Sequence, residues 1–241
     1  MTTPRASGTL AQLKRDLAAL ADPKRALASA RYFKTGPGQY AAGDRFLGVS
    51  VPAQRKIAHR YLALPHAGIR RLLLSSFHEH RSTALEILVA QYESATVERR
   101  VEIFDFYLQH TSRVNNWDLV DASAPALFSD RLKTGSPEIL DRLARSKNVW
   151  ERRIAIVATL PHIKRGEVED ALRIAAILLH DPHDLIHKAV GWALREVGKT
   201  ARPRLLVFLR HNYSSLPRTT LRYAIERFPP EERKRMLQGR I

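Results

Sequence analysis

The chain has no cysteine, so neither disulfides nor thiolate-bound metal can brace it, and nothing ties it to an oxidising compartment. A reducing cytosol is the expected setting. No run of about eighteen apolar residues occurs, which excludes an obvious membrane span. The first residues, MTTPRASGTLAQLKRDLAALADPKR, lack the continuous apolar stretch of a signal peptide. A soluble, unanchored, cytoplasmic protein is therefore expected, lying on the nucleoid if the source is bacterial. Carboxylates are scarce as well: 24 Asp and Glu face 40 Lys and Arg, a formal charge of +16. That excess is largest over residues 1–50 and 161–241, and it suits a polyanion, because phosphates reward clustered cations through counterion release. A basic surface serving solubility alone is the plainer explanation.

Alternating strand patterns are missing too, while apolar residues recur at helical spacing, as in Ile154, Ile156, Val157 and Leu160. This predicts an all-α chain. Prolines including Pro23, Pro52, Pro65, Pro125, Pro137, Pro161, Pro182, Pro203, Pro217 and Pro229 divide it into short helices. The predicted helices are 9–20, 23–33, 52–63, 66–75, 78–93, 95–110, 116–132, 137–145, 148–160, 166–180, 184–199, 201–212, 216–227 and 230–237. They pair at a rise of roughly 35–40 residues, the period of HEAT or armadillo repeats. An α-solenoid forming one domain over 1–241, with about residues 1–8 flexible, is the expected architecture, and a compact helical bundle is its competitor.

One segment breaks the rhythm. KTGPGQYAAGDRFLGV, residues 34–49, carries four glycines and reads as a long loop with aromatic anchors at Tyr40 and Phe46. Its glycines match neither a phosphate-binding loop nor a dinucleotide fingerprint. A spacer between helices and a nucleic-acid contact, with Arg45 as its cation, are both compatible with it.

The motif NNWDLVD raises a sharper question. In a helix Trp117 and Asp121, four apart, share a face, while Asp118 points elsewhere. Trp150 stands three residues before Arg153, and Trp192 lies between Lys188 and Arg195. Tryptophan in a helix is more often core than site. Indoles grouped with a carboxylate and cations can instead line a groove. Among the histidines, His180, His183 and His187 cluster with Asp181 and Asp184, but Pro182 interrupts the helix and no metal-ligand spacing survives, so turn and capping roles are expected. His78-Glu79-His80 reads as a helix start. No Gly-x-Ser-x-Gly elbow supports a serine nucleophile. Neither metal nor cofactor is called for.

Four motifs occur in order: RYFKTGPGQYAAGDRFLGVSVPAQRKIA, NNWDLVD, VWERRIAI and HKAVGWALRE. Together they resemble the DNA alkylation repair glycosylases of the AlkD type, over roughly residues 10–237. The resemblance implies HEAT-like repeats forming a curved, concave DNA-binding surface. It also implies an enzyme that excises cationic N3- and N7-alkylated purines from duplex DNA without flipping the base into a pocket. By resemblance Asp121, Trp117 and Trp192 serve catalysis, Arg153 holds the DNA backbone, and Lys188, Arg195 and Arg45 add DNA contacts. Asn116 stands where the familiar pattern has a second Trp, and Ser50 where a polar amide is expected. A monomer acting on duplex DNA follows. An inactive DNA-binding repeat protein and a protein-interaction scaffold are the alternatives.

Overall fold

The computed structural model describes residues 8–130 and 138–241, so the predicted flexible residues 1–7 and the predicted break at Pro137 lie outside it. Among the described residues the chain is all-α, with one isolated bridge between Arg45 and Phe77. None of the described helices is long and apolar enough to cross a membrane. The chain divides into two compact units, one ending at Ser123 and one beginning at Ala124.

The first unit holds α1 (Leu10–Ala19), α2 (Pro23–Tyr32), α3 (Val51–Ala58), α4 (His66–Leu73), α5 (His78–Ser94), α6 (Val97–Gln109) and the start of α7 (Trp117–Phe128). Local chemistry sets several starts. At α1, Thr9 and Gln12 form a reciprocal capping box. At α2, the Asp22 carboxylate accepts from the amides of Lys24 and Arg25, with Pro23 in the first turn. The 17-residue α5 is the axis of this unit, packing against α1, α3, α4 and α6. Its Leu85, Ile87, Leu88 and Tyr92 are buried on several sides. Helix α3 stops at Ala58, short of the predicted 63. The reason is tertiary: the Gln91 amide of α5 donates to the carbonyls of Leu62 and Leu64, holding that stretch as turns.

The second unit holds the rest of α7, then α8 (Glu138–Ala144), α9 (Val149–Val157), α10 (Leu160–Lys164), α11 (Glu169–Ile177), α12 (Asp184–Thr200), α13 (Arg202–Asn212), α14 (Arg218–Ala224) and α15 (Pro230–Leu237). Again a 17-residue helix is the axis, α12, packed by α9, α10, α11, α13 and α14. The predicted helix 148–160 ends at Val157, close to the predicted break at Pro161, and Leu160 with Pro161 opens α10, where the proline ring crowds the carbonyl four residues back. Pro125 lies inside α7 and does not end it. In both units the helix contacts run between helices no more than four places apart in sequence, the pattern of repeat proteins.

Candidate functional site

The glycine-rich segment after α2 is a loop, as its composition predicts, and it is pinned to the start of α5. Glu79, buried in the first turn of α5, accepts from the Leu47 amide at 2.9 Å and from the Gly48 amide at 2.7 Å. Gly48 adopts φ +82°, and a Cβ there would lie 2.1 Å from the Asp22 carbonyl oxygen, so only glycine lets the loop pass α2. The Arg45 amide donates to Ser76, and the His78 amide donates back to Arg45. The Arg45 guanidinium lies 4.5 Å from the centre of the Phe77 ring.

Around this anchor a buried charge cluster forms. The Asp44 carboxylate meets the Arg81 guanidinium at 2.6 Å and His78 Nδ1 at 3.6 Å, while His78 Nε2 donates to Asp118 at 2.7 Å. Burial alone would strip the proton from His78. The hydrogen bond to Asp118 and the nearby Asp44 carboxylate outweigh it and raise the imidazolium pKa to about 9. Above the cluster the rings stack: Phe33 on Phe46 at 5.3 Å, Phe33 on Trp117 at 5.5 Å and Phe46 on His78 at 4.9 Å. Tyr32, an exposed residue, meets Trp117 edge-on at 6.0 Å.

Helix α7 begins here. Asn116 is fully buried, and its side-chain oxygen accepts from the Trp117 amide at 2.8 Å, so the residue that departs from the resembled pattern serves the helix start. Ser50 occupies the cap position of α3 without a side-chain cap bond. Trp117 and Asp121 are both partly exposed, and the charge of Asp121 is felt at the buried Tyr107. The phenol pKa of Tyr107 rises, mainly through burial and also through Asp121, against a lowering hydrogen bond from Ser123. Asp118, set off the Trp117 and Asp121 face by helical spacing, is bonded to His78. What the spacing does not reveal is that it reaches His78, forty residues earlier.

The remaining predicted site residues belong to the second unit. Trp150 is buried, the common fate of a helical tryptophan. Arg153 is buried as well, and its Nη1 donates to the Leu185 carbonyl at 2.8 Å, at the start of α12. Trp192 is partly exposed on α12. On the same helix Lys188 pairs with Asp184 at 2.7 Å, and Arg195 pairs with Glu226. The histidine cluster behaves as turn chemistry: the His183 ring accepts from the Leu185 amide, and the His187 ring bonds the Asp181 carbonyl. Among the described residues, no group of three His, Cys, Asp or Glu side chains is arranged to hold a metal ion.

A family model described as DNA alkylation repair enzyme matches residues 13–228. The chain belongs to that family. Solved structures agree on the fold of this alkylation repair protein. A chain described as a predicted DNA alkylation repair enzyme from Enterococcus faecalis superposes with a TM-score of 0.69 at 18% identity, covering 87% of this chain and 97% of its own. AlkD2 from Streptococcus mutans superposes with a TM-score of 0.53 at 20% identity, covering 92% and 97%. No curated protein sequence matches the chain. At these identities the likeness establishes the helical-repeat fold of the alkylation repair family. The residues that sequence reasoning missed are Asp44, His78, Arg81 and Phe33, which tie the loop, α5 and α7 together.

Proposed function

We propose that the protein is a DNA glycosylase of base excision repair, hydrolysing the N-glycosidic bond of cationic N3- and N7-alkylated purines in duplex DNA. It acts as a monomer, without metal, cofactor or base-flipping pocket. The observation that carries this reading is the first stretch of α7 in a chain of the alkylation repair family. There Trp117, its indole packed on Phe33, and Asp121 lie four residues apart on one helix face.

An alkylated purine already bears positive charge, so it leaves without a general acid. The deoxyribose becomes oxocarbenium-like as the bond lengthens. Asp121 stabilises that charge or orients the attacking water, as one carboxylate does in sugar hydrolases. The Trp117 indole offers an electron-rich face to the cationic sugar and excludes water. By the same resemblance Trp192 is a second such indole, Arg153 holds a backbone phosphate, and Lys188, Arg195 and Arg45 add phosphate contacts. Neutral purines leave far more slowly, so the lesion's own charge supplies selectivity.

The deciding experiment is single-turnover incubation with a duplex containing 7-methylguanine, reading free base. Wild type releases the base with a chelator present. Asp121→Asn keeps duplex affinity and loses about a hundredfold or more in rate, roughly 3 kcal/mol of transition-state stabilisation. Wild-type binding without release identifies an inactive DNA-binding repeat protein instead. Asp121→Asn excising at the wild-type rate removes Asp121 from the mechanism.

A further inference from the structure

The cluster beneath Trp117 has more charge than a fold of this kind needs. Side-chain exposure is 4% for His78, 6% for Asp44, 1% for Arg81 and 25% for Asp118. Buried ion clusters are commonly no more stabilising than well-packed apolar residues of the same volume, so their presence calls for a reason beyond cohesion. Here the four groups come from three segments: Asp44 from the loop, His78 and Arg81 from α5, and Asp118 from the first turn of α7. Carboxylates face His78 from both sides, Asp118 at Nε2 and Asp44 at Nδ1, with Arg81 beside Asp44 and Arg113 beside Arg81 on the Ser75 carbonyl, and this pair of anions favours the imidazolium. Only the Asp118 contact is a hydrogen bond, while Asp44 at 3.6 Å is a charge contact that rewards the protonated ring.

The link to Trp117 runs by two routes. Through the backbone, Asp118 is the next residue, and its carboxylate is held 2.7 Å from His78 Nε2. Through the rings, Phe33 lies 5.0 Å from His78 on one side and 5.5 Å from Trp117 on the other. His78 thus reaches the indole only indirectly, at its main chain through Asp118 and at its face through Phe33.

We infer that His78 is a positioning residue: shared as an imidazolium between Asp44 and Asp118, it locks the first turn of α7 and sets the orientation of the Trp117 indole. It acts through Asp118 and Phe33 and touches no substrate. The inference rests on the glycosylase reading for its consequence in catalysis, but not for the geometry itself. The charged groups facing His78 are Asp44 from the loop, Asp118 from α7 and Arg81 from its own helix, while Glu79 is turned to the loop amides.

Two measurements test it on the full chain. The first is nuclear magnetic resonance, with Trp117 assigned through Trp117→Phe. Both ring nitrogens of His78 are expected to carry protons at pH 7.5, and the Trp117 indole N–H is expected to shift as the pH passes about 9. A neutral His78 at pH 7.5, or an indole signal unmoved through that range, overturns the inference whatever the enzyme does. The second is single-turnover excision of 7-methylguanine. His78→Gln keeps a donor toward Asp118 but not the charge, and misplacement of a reacting group by such a loss costs about tenfold to a hundredfold in rate. Duplex affinity stays within twofold of wild type, and the wild-type decline in rate above pH 9 disappears in the variant. Should His78→Gln not fold, Asp118→Asn at the exposed edge of the cluster removes the charge that holds His78 protonated, with the same loss of rate and the decline moved to lower pH. Unaltered rate and pH profile in the folded variant also overturn the inference. If wild type itself releases no base, the glycosylase reading fails while the resonance measurement still decides the positioning role.

Discussion

Replacing Glu79 by glutamine changes almost no volume, yet it removes a charge and one acceptor from a site that uses both oxygens. Oε1 accepts from the Gly48 amide at 2.7 Å and Oε2 from the Leu47 amide at 2.9 Å, with Glu79 only 2% exposed. A glutamine offers one oxygen and one NH2, so in either flip a donor faces a donor. The variant loses one charge-assisted hydrogen bond, worth roughly 1.5–3 kcal/mol, and leaves a largely buried amide unsatisfied; allowing for overlap, the expected cost is about 2–4 kcal/mol. The other ties of this strip, from the Asp22 amide to the Leu47 carbonyl and from the Arg25 guanidinium to the Gly48 carbonyl, do not compensate, because they use the carbonyls and leave the amides unpaired. The assay is urea unfolding read by Trp117 fluorescence in a Trp150→Phe, Trp192→Phe background, so that the signal reports the first unit. With a slope of about 2 kcal/mol per molar urea, the midpoint falls by roughly 1–2 M. A shift below about 0.3 M refutes the reasoning, since it means that the loop amides find other acceptors and Glu79 is not their anchor.

Stability of the first unit also depends on pH in two opposite ways. His78 has a folded pKa raised to about 9, so its contribution is complete below the unfolded value of 6.5 and is lost as pH rises through 9, an effect of about 3 kcal/mol. His80 is lowered to about 4 by burial and then by the charges of Lys14 and Arg81, so protonation of the unfolded chain costs stability as pH falls from 6.5 toward 4. The Trp117-reported midpoint therefore peaks near pH 6.5, and a flat profile from 6.5 to 9 contradicts the charged His78. Arg153→Ala is expected to weaken duplex binding and lower the slope of log affinity against log salt by about one. An unchanged slope with a lowered melting temperature assigns Arg153 to holding the Leu185 carbonyl instead.

The features that could be read from sequence are those decided within about four residues. Helical spacing marked the helices, and the starts after Thr9, Asp22 and Asn148 rest on local caps whose side chains bond amides two or three positions ahead. Glycine content marked the loop at 34–49, since glycine alone reaches the backbone conformation of Gly48 at no steric cost. The helix period places Trp117 and Asp121 four apart on one face of α7, a matter of local geometry. The break at Pro161 was read too, because a proline's lost amide and ring crowding are local chemistry. Tertiary structure decided the rest, where the partner lies tens of residues away. Gln91 ends the run after α3 by reaching Leu62 and Leu64. Arg153 is buried against Leu185, thirty-two residues on. Asp118 meets His78 forty residues back, and Glu79 meets Gly48 thirty-one residues back. A carboxylate in a sequence looks the same whether it faces water or a buried imidazolium. Only packing sets which, because the energy of a charge depends on the dielectric and the partners that the folded chain places around it.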